Sequence, residues 1–492
     1  MQPLAQRRDV RTATPRYERH NPEHTLLYQI IERHYPVFRH LMSEQGKELP
    51  MYIQQEFSDY LKCGRLEYGF LRVQCTSCHK ENLVAFSCKR RGFCPSCGAR
   101  RMAESAALLV DDVIPELPVR QWVLSFPFQL RFLFASDPKV MGKVLGIVCR
   151  AIATHLIRKA GFARKTADAG AITLIQRFGS ALNLNVHFHM LFLDGVYTTN
   201  KHGKTVFRRT NGPDERELDQ LLHTISRRVA GYLERQGLLE RDEENSYLQL
   251  DHLQEDPMQQ FIGHSVTYRV AIGKQSGQKV FSLQTLPASN SHHDNAQVAK
   301  ASGFSLHAGV SAQAWEREKL ERLCRYITRP AVSEKHLSLT PAGNIRYQLK
   351  NPYRNGTTHL VFEPLDFLSK LAALVPKPRV NLIRYHGVFA PNSPYRSSVT
   401  PAGRGRCESG DETKTAAEKR KAMTWAQRLK RVFGIDIEVC DYCAGSVKVI
   451  ACIEDKAVIE QILGHLKRKG DLPELVSLLP DSTGPPYKTI IV

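Results

Sequence analysis

Residues 182–193 read LNLNVHFHMLFL, a stretch in which apolar and polar side chains alternate. Successive side chains of a β-strand point to opposite faces of the sheet. One face of this stretch carries only apolar side chains: Leu182, Leu184, Val186, Phe188, Met190 and Phe192. The other face carries polar ones: Asn183, Asn185, His187 and His189. The alternation predicts a strand with a core on one side and two neighbouring imidazoles on the other.

Two imidazoles at positions i and i+2 of one strand face can share a cation. A metal ion held this way keeps open positions, so it can polarise a phosphate oxygen and stabilise charge in a transition state. The His-x-His pattern also occurs in metal-dependent oxygenases and hydrolases, and as ordinary surface histidines. The metal site and the surface pair therefore both stand as interpretations of His187 and His189 alone.

The composition favours a nucleic-acid partner. Lys and Arg number 69 against 49 Asp and Glu, and this net charge of +20 attracts polyanions. No uninterrupted apolar run approaches the ~18 residues of a membrane span, and the N-terminus lacks an apolar signal core. We therefore expect a cytoplasmic protein without membrane contact. Thiols stay reduced in the cytoplasm, so the 12 cysteines are first considered as metal ligands.

A cysteine-rich, basic module lies near the N-terminus. Cys75-x2-Cys78 and Cys94-x2-Cys97 are separated by fifteen residues, a spacing that predicts four thiolates around a structural zinc ion. Four unliganded core cysteines are the alternative. Three further candidates could replace a ligand or bind a second metal: Cys63, Cys88 and His79. Basic side chains near the second pair could contact phosphates or form a solvated surface: Lys89, Arg90, Arg91, Arg100 and Arg101.

Residues 311–330, SAQAWEREKLERLCRYITRP, have the spacing of an amphipathic helix. Tyr326 lies on the flank of its apolar stripe, among Arg322, Arg325 and Arg329. A phenol oxygen can attack a phosphodiester that arginines hold, and can keep it as a phosphotyrosine. The alternative is an interface tyrosine that packs its ring while its hydroxyl meets water.

The tail carries one more cysteine pair, Cys440-x2-Cys443, with only Cys407 and Cys452 nearby. A small zinc site and a pair of surface cysteines remain alternatives. Residues 418–434 form a basic amphipathic pattern, which could touch DNA or dock a terminal domain.

Together these segments resemble the insertion-sequence ninety-one family of rolling-circle transposases, part of the His-hydrophobic-His (HUH) endonuclease superfamily. The resemblance covers nearly all of residues 25–392. It rests on five stretches: SCKRRGFCPSCGARRM (87–102), QWVLSFPFQLR (121–131), LNVHFHMLFLDGVY (184–197), LCRYITRP (323–330) and YHGVFAPNS (385–393).

The resemblance implies an α+β fold in which helices flank a central antiparallel sheet and the histidines lie on a middle strand. The expected organisation is a basic arm (1–24), a helical domain with a four-cysteine zinc site (25–115), the HUH catalytic domain (116–392), a linker (393–423) and a small basic domain (424–492). The residue pattern itself predicts a strand and its continuation over residues 121–134, strands over 265–286 and a helix over 310–328.

The resemblance also implies a mechanism. Mg²⁺ or Mn²⁺ on His187 and His189 would polarise the scissile phosphate, and Tyr326 would attack it, leaving a 5′-phosphotyrosine and a free 3′-hydroxyl. The implied partners are single-stranded or hairpin transposon ends. The implied setting is the bacterial cytoplasm, in association with the nucleoid while the protein acts, and a homo-oligomer is compatible with this mechanism. Two other hypotheses remain: a catalytically inactive zinc-containing DNA-binding protein, and a metal-dependent hydrolase without a covalent step.

One position departs from the founding members, which carry two tyrosines four residues apart. Here the residue four positions before Tyr326 is Arg322, so the chain resembles the one-tyrosine branch of common-region elements. Two strand transfers would then need one tyrosine used twice, a tyrosine from a second subunit, or an activated water. For the third metal ligand that is usual in the superfamily, Glu334 and Gln176 are the candidates.

Overall fold

The computed structural model describes residues 21–241, 246–249, 258–287, 298–403, 438–440 and 442–470. The chain divides into two compact units, and each is discontinuous in sequence. The larger unit comprises Glu23–Leu61, Cys88–Gly410 and Leu475–Val492, and the smaller unit comprises Met1–Pro22, Lys62–Ser87 and Asp411–Glu474. The predicted domains, in contrast, are continuous segments.

The helices in chain order are α1 Leu26–Glu44, α2 Met51–Lys62, α3 Pro95–Ala107, α4 Phe128–Ser136, α5 Pro138–Lys159, α6 Glu215–Arg235, α7 Met258–Val266, α8 Arg317–Thr328, α9 Pro364–Leu374, α10 Arg396–Val399 and α11 Lys456–Arg468.

The strands in chain order are β1 Phe70–Cys75, β2 Glu81–Ala85, β3 Val119–Ser125, β4 Ala167–Phe178, β5 Leu184–Thr199, β6 Thr205–Arg209, β7 Leu239–Arg241, β8 Ser246–Leu248, β9 Phe281–Gln284, β10 Val298–Ala301, β11 Phe304–Ala312, β12 Leu337–Leu339, β13 Ile345–Gln348, β14 Thr357–Phe362, β15 Ile383–Gly387 and β16 Val447–Ile453.

The larger unit is built on a seven-stranded sheet with the order β10-β11-β3-β5-β4-β15, to which β6 adds by pairing with β5. The strand pairs along this order are antiparallel. A separate four-stranded sheet has the order β12-β13-β14-β9. The α+β class and the central antiparallel sheet are therefore confirmed, and the histidine strand β5 lies in the middle of that sheet.

Both faces of β5 are buried. The predicted apolar face packs towards α4 and α5, and Val186, Phe188 and Met190 on it have no exposed surface. The opposite face becomes apolar beyond the histidines, where Leu191 and Leu193 join a core that includes residues of α8. The polar part of that face is thus confined to the end of the strand that carries the imidazoles.

Helix α5 is long and apolar enough to cross a membrane by length and composition alone. More than half of that stretch is buried inside the larger unit, where α5 packs on α6 and β4. Burial against a sheet explains its apolar character, because core helices have the same composition.

Three local predictions differ from the structure. The strand predicted over residues 121–134 ends at Ser125, and α4 begins after Pro127, whose ring fixes its backbone and removes a ladder donor. Strands were predicted over residues 265–286, but this range begins with the last residues of α7 and contains the short strand β9. The helix predicted over 310–328 begins only at Arg317, because β11 extends to Ala312.

The smaller unit contains a three-stranded sheet with the order β16-β1-β2. Helix α11 covers it, and the buried core consists of Leu66, Phe70, Ile459 and Leu463. The C-terminal strand β16 pairs with β1 in antiparallel register. Most of the predicted arm, the greater part of the linker and the whole basic pattern of 418–434 lie outside the described residues.

Candidate active site

His187 and His189 lie side by side on β5, as the alternation predicted. Their Nε2 atoms are 3.0 Å apart, and both side chains are buried, with 8% and 5% of their surface exposed. Across the sheet, His187 is opposite Ser125 of β3 and Gln176 of β4. Two ring nitrogens therefore converge on one point inside the larger unit.

Each imidazole is oriented by a second contact. The Nδ1 atom of His187 lies 2.8 Å from the main-chain oxygen of Asn185, to which it donates, so its Nε2 keeps a lone pair. The Nδ1 atom of His189 lies 2.7 Å from the side-chain amide of Gln121 on β3. The atom that faces the ring is Nε2 of Gln121, which donates, so Nδ1 of His189 accepts and the proton of this ring lies on Nε2, towards Nε2 of His187. Turning the amide by half a rotation would place its oxygen there and leave the lone pair of His189 on Nε2, the form that a metal ion needs.

Burial lowers the pKa of His187 to about 4, with Arg329 and Arg131 contributing in the same direction against the raising effect of the Asn185 contact. Burial also lowers the pKa of His189 to about 3, assisted by His187 and Arg329. Both rings are therefore neutral at physiological pH, which is the form that binds metal ions.

Tyr326 of α8 is next to the histidine pair. Its ring is perpendicular to that of His189, with centroids 6.5 Å apart, and 43% of the residue is exposed. The guanidinium of Arg329 lies 4.3 Å from the centroid of the tyrosine ring, and Nζ of Lys350 lies 4.6 Å from it. A partly exposed phenol thus stands beside two imidazoles and two cations.

The sequence missed Lys350, which follows β13 and is distant from Tyr326 along the chain. Two of the predicted arginines make ion pairs along α8 instead of facing the phenol: Arg325 pairs with Glu321, and Arg322 with Glu318. Only contacts that the fold creates could distinguish Arg329 and Lys350 from their basic neighbours.

Within the part of the chain that the structure describes, no third His, Cys, Asp or Glu joins the histidine pair in a metal-binding group. Gln176 is buried, and its side-chain nitrogen donates to the main-chain oxygen of Ile327 in α8, at 3.0 Å. Glu334 accepts a hydrogen bond from the main-chain nitrogen of Leu27 at the start of α1. Burial raises its pKa. Glu334 therefore supports α1.

The predicted zinc ligands belong to two different groups. In the larger unit, the sulfur atoms of Cys88, Cys94 and Cys97 lie within 4.8 Å of one another. Cys94 precedes α3, and Cys97 lies in the first turn of that helix. The predicted quartet of Cys75, Cys78, Cys94 and Cys97 is therefore wrong as a single site, although Cys88 was among its alternates.

In the smaller unit, Cys75 and Cys78 form a group with Cys440 and Cys443, and these four sulfur atoms also lie within 4.8 Å of one another. The pairing of β16 with β1 brings the two segments together. His79, another of the three alternates, belongs to neither group among the described residues. Sequence spacing paired Cys75 and Cys78 with the nearby Cys94 and Cys97. Their actual neighbours, Cys440 and Cys443, lie in a distant part of the chain.

Two models of known protein families match the chain, one over the histidine and tyrosine region and one over the N-terminal cysteine region. A family model described as "Putative transposase" matches residues 170–397, which contain His187, His189 and Tyr326. A second, described as "Transposase zinc-binding domain", matches residues 30–126. These matches support an insertion-sequence ninety-one family transposase. No curated protein and no solved structure matches the chain.

The basic residues next to the second cysteine pair make contacts within the protein. Arg90 pairs with Asp59, and Arg100 with Glu104. Arg91 donates to the main-chain oxygen of Val380. These contacts fix the positions of the guanidinium groups without neutralising all of them.

Three arginines of the basic module line a cavity of about 320 Å³ in the larger unit: Arg90, Arg91 and Arg101. Gln176 and Arg329 line the same cavity, at the C-terminal end of α8. Close packing produces this arrangement, because a Cβ atom on Gly98 of α3 would lie only 2.6 Å from Cβ of Pro330. The basic module and the tyrosine helix thus border one space.

Proposed function

We propose that this transposase nicks and rejoins single-stranded DNA at the ends of a mobile element, through a 5′-phosphotyrosine on Tyr326. The observation that carries the proposal is the position of the Tyr326 ring. Its centroid lies 6.5 Å from the centroid of the His189 ring. A nucleophile beside a pair of neutral imidazoles is the arrangement that metal-assisted phosphoryl transfer to tyrosine needs. The setting we propose is the bacterial cytoplasm.

The chemical step is a transfer of the phosphodiester to tyrosine. The Oη atom of Tyr326 attacks phosphorus, its bond to phosphorus forms and the bond from phosphorus to the 3′ oxygen breaks. The phenol loses its proton, and the departing 3′ oxygen takes one up. Because the phosphotyrosine conserves the energy of the broken bond, a 3′-hydroxyl of another strand can reverse the step and rejoin the DNA.

Arg329 and Lys350 position the DNA backbone in this proposal. Both cations lie within 5 Å of the tyrosine ring centroid. Charge-assisted hydrogen bonds from such groups hold phosphate oxygens more firmly than neutral donors do. The scissile phosphate would therefore lie within reach of the phenol oxygen while its negative charge is balanced.

The histidine pair suits a divalent ion, Mg²⁺ or Mn²⁺. Two neighbouring ligands of an octahedral ion with bonds of about 2.1 Å lie about 3 Å apart, and the two Nε2 atoms are separated by 3.0 Å. When bound, the ion would polarise a non-bridging phosphate oxygen. His187 and His189 would hold it, and the contacts at their Nδ1 atoms would keep both rings aimed at it.

We propose Gln176 as a third ligand. Its amide nitrogen donates to Ile327, which leaves the amide oxygen as the group to face a cation.

The proposal uses one nucleophile, because the position of a second tyrosine is occupied by Arg322. The side chain of Arg322 is 68% exposed and pairs with Glu318.

The cysteine group of the larger unit supports a structural zinc ion, which agrees with the zinc-binding-domain match. Cys88, Cys94 and Cys97 would provide three thiolates. A structural zinc site has four protein ligands, so one further ligand would complete this group. The neighbouring arginines around the cavity would then contact the phosphates of the transposon end.

The test is formation of a covalent adduct. The purified transposase is incubated with a labelled single-stranded oligonucleotide of the element end and Mn²⁺, then denatured and separated by electrophoresis. We expect a labelled protein band with the wild type and none with Tyr326→Phe. Tyr247→Phe is the matched control, because Tyr247 belongs to the same unit and is 54% exposed, and it should form the adduct normally.

The alternatives give different results. Free cleaved ends without an adduct would favour a metal-dependent hydrolase. Tight DNA binding without cleavage under any metal would favour an inactive DNA-binding protein. An adduct that persists in Tyr326→Phe would mean that another tyrosine is the nucleophile.

A further inference from the structure

Four cysteine side chains from the two ends of the chain meet in the smaller unit. The sulfur atoms of Cys75 and Cys443 are 3.4 Å apart, and those of Cys78 and Cys440 are 3.6 Å apart. The members of the second pair are separated by 362 residues in sequence. All four sulfur atoms lie within 4.8 Å of one another, so the group is a compact quartet rather than two separate pairs.

The two segments that supply the sulfurs have the same backbone turn. The main-chain nitrogen of Cys75 donates to the oxygen of Lys80 at 2.9 Å, and that of Cys440 to the oxygen of Gly445 at 2.7 Å. In both segments the residue after the second cysteine is left-handed: φ is 60° at His79 and 59° at Ala444. Neither residue is glycine, so each turn holds a backbone conformation that costs free energy.

The two turns pack closely against each other. The main-chain nitrogen of Thr76 donates to the oxygen of Ser446 at 2.8 Å. A Cβ atom on Gly445 would lie 2.5 Å from Oγ of Ser77 and 3.0 Å from Sγ of Cys75. The absence of a side chain at position 445 therefore lets the second turn approach the sulfurs of the first.

We infer that these four cysteines bind a second zinc ion, and that the two segments form one zinc ribbon split between the N-terminal and C-terminal parts of the chain. Two equivalent turns, each with a Cys-x-x-Cys pair next to a β-strand, are the arrangement that provides four thiolates for tetrahedral zinc. The zinc-binding-domain match ends at residue 126 and so contains only half of these ligands.

The site would fasten the tail to the N-terminal module. Among the described residues, β16 is an edge strand that pairs with β1, and helix α11 after it adds a small buried core with Leu66 and Phe70. Zinc held by both segments would make that pairing depend on the metal, because binding free energy is available only when the ligands are together. The inference does not depend on the catalytic proposal.

The test is the zinc content of the full-length protein, purified under reducing conditions and measured by mass spectrometry of the metal. We expect two zinc ions per wild-type chain and one in the Cys440→Ser/Cys443→Ser double variant. Cys443→His should restore the second ion where Cys443→Ser loses it, since imidazole can replace a thiolate in such sites. Cys452→Ser is the matched control, because this exposed cysteine lies on β16 outside the quartet, and it should keep two ions.

Limited proteolysis gives a second readout. In the wild type, zinc should protect the segment around β16 from cleavage, and the double variant should lose that protection while it retains the remaining zinc. Equal zinc contents in the wild type and the double variant would overturn the inference, whether both proteins hold one ion or two. Disulfides in place of bound zinc, detected by mass after alkylation without reductant, would also overturn it.

Discussion

The histidine pair of the larger unit and the cysteine quartet of the smaller unit would, as we propose, hold metal ions in opposite ways. The histidines are two residues apart on one strand, and only the pleat is needed to bring them together. The cysteines come from segments more than 360 residues apart, and they meet only because β16 pairs with β1. A local pair of ligands leaves room for a substrate, whereas four ligands from two segments close the site.

This difference distinguishes a site suited to catalysis from a site suited to holding the structure together. Two imidazoles leave an ion with open positions, which suits catalysis. Four thiolates fill a tetrahedral ion, which suits a structural role. We therefore expect substitutions in the two regions to affect different measurements, and the following predictions test that separation.

The largest effect is expected from His187→Asn. Loss of one of two imidazoles should reduce strand cleavage by about 10³-fold, at the upper end of what removing one charge-stabilising group costs. Zinc content should remain at the wild-type value, because neither cysteine group contains this residue. Cleavage is measured on the labelled oligonucleotide, and zinc by metal analysis. A variant that cleaves normally, or one that loses zinc, would break the comparison.

A smaller effect is expected from Gln121→Leu, which removes the amide 2.7 Å from Nδ1 of His189. Groups that orient metal ligands typically contribute about 10- to 100-fold, so we expect cleavage to fall by about 10-fold. The required Mn²⁺ concentration should rise, which a loss of folding alone would not produce. Gln121→Glu should recover part of the metal affinity, because a carboxylate accepts a proton from Nδ1 and so leaves the lone pair of His189 on Nε2. Equal metal dependence in all three proteins would contradict this role.

The smallest effect concerns His386 of β15, a half-buried histidine whose Nε2 lies 3.1 Å from Oγ1 of Thr173. It lies outside the candidate metal-binding pair. Burial, and secondarily Arg384, lower the pKa of His386 to about 4, below the value of about 6.5 for an unfolded chain. The unfolded state therefore binds more protons between these values. Stability from this residue is full above pH 6.5 and is lost as the pH falls towards 4.

The expected slope is at most about 1.4 kcal/mol per pH unit. Urea unfolding between pH 4 and 7.5 should show a shallower dependence in His386→Gln than in the wild type. His202→Gln is the control, because this exposed residue lies outside the core, and its slope should equal that of the wild type. Parallel curves for all three proteins would refute the assignment.

Much of the fold and of the active site could be predicted from local pattern. The period of two in residues 182–193 predicted β5 and both imidazoles, and the helical spacing predicted most of α8 with Tyr326 on its flank. Pattern failed where a single residue ended an element: Pro127 stops β3, and the following apolar run forms α4 instead of more strand. A short apolar run fits a strand or a buried helix equally well, so periodicity could not decide between them.

The sequence by itself determined the ligand types, the histidine pair and the nucleophile candidate, because each depends on neighbours within one strand or one helix. Only the tertiary structure decided which cysteines share a site, that Gln121 supports His189 and that Lys350 lies over Tyr326. These contacts join residues far apart along the chain. Their partners are chosen by strand pairing and packing, which depend on the whole core and leave no periodic trace in the local sequence.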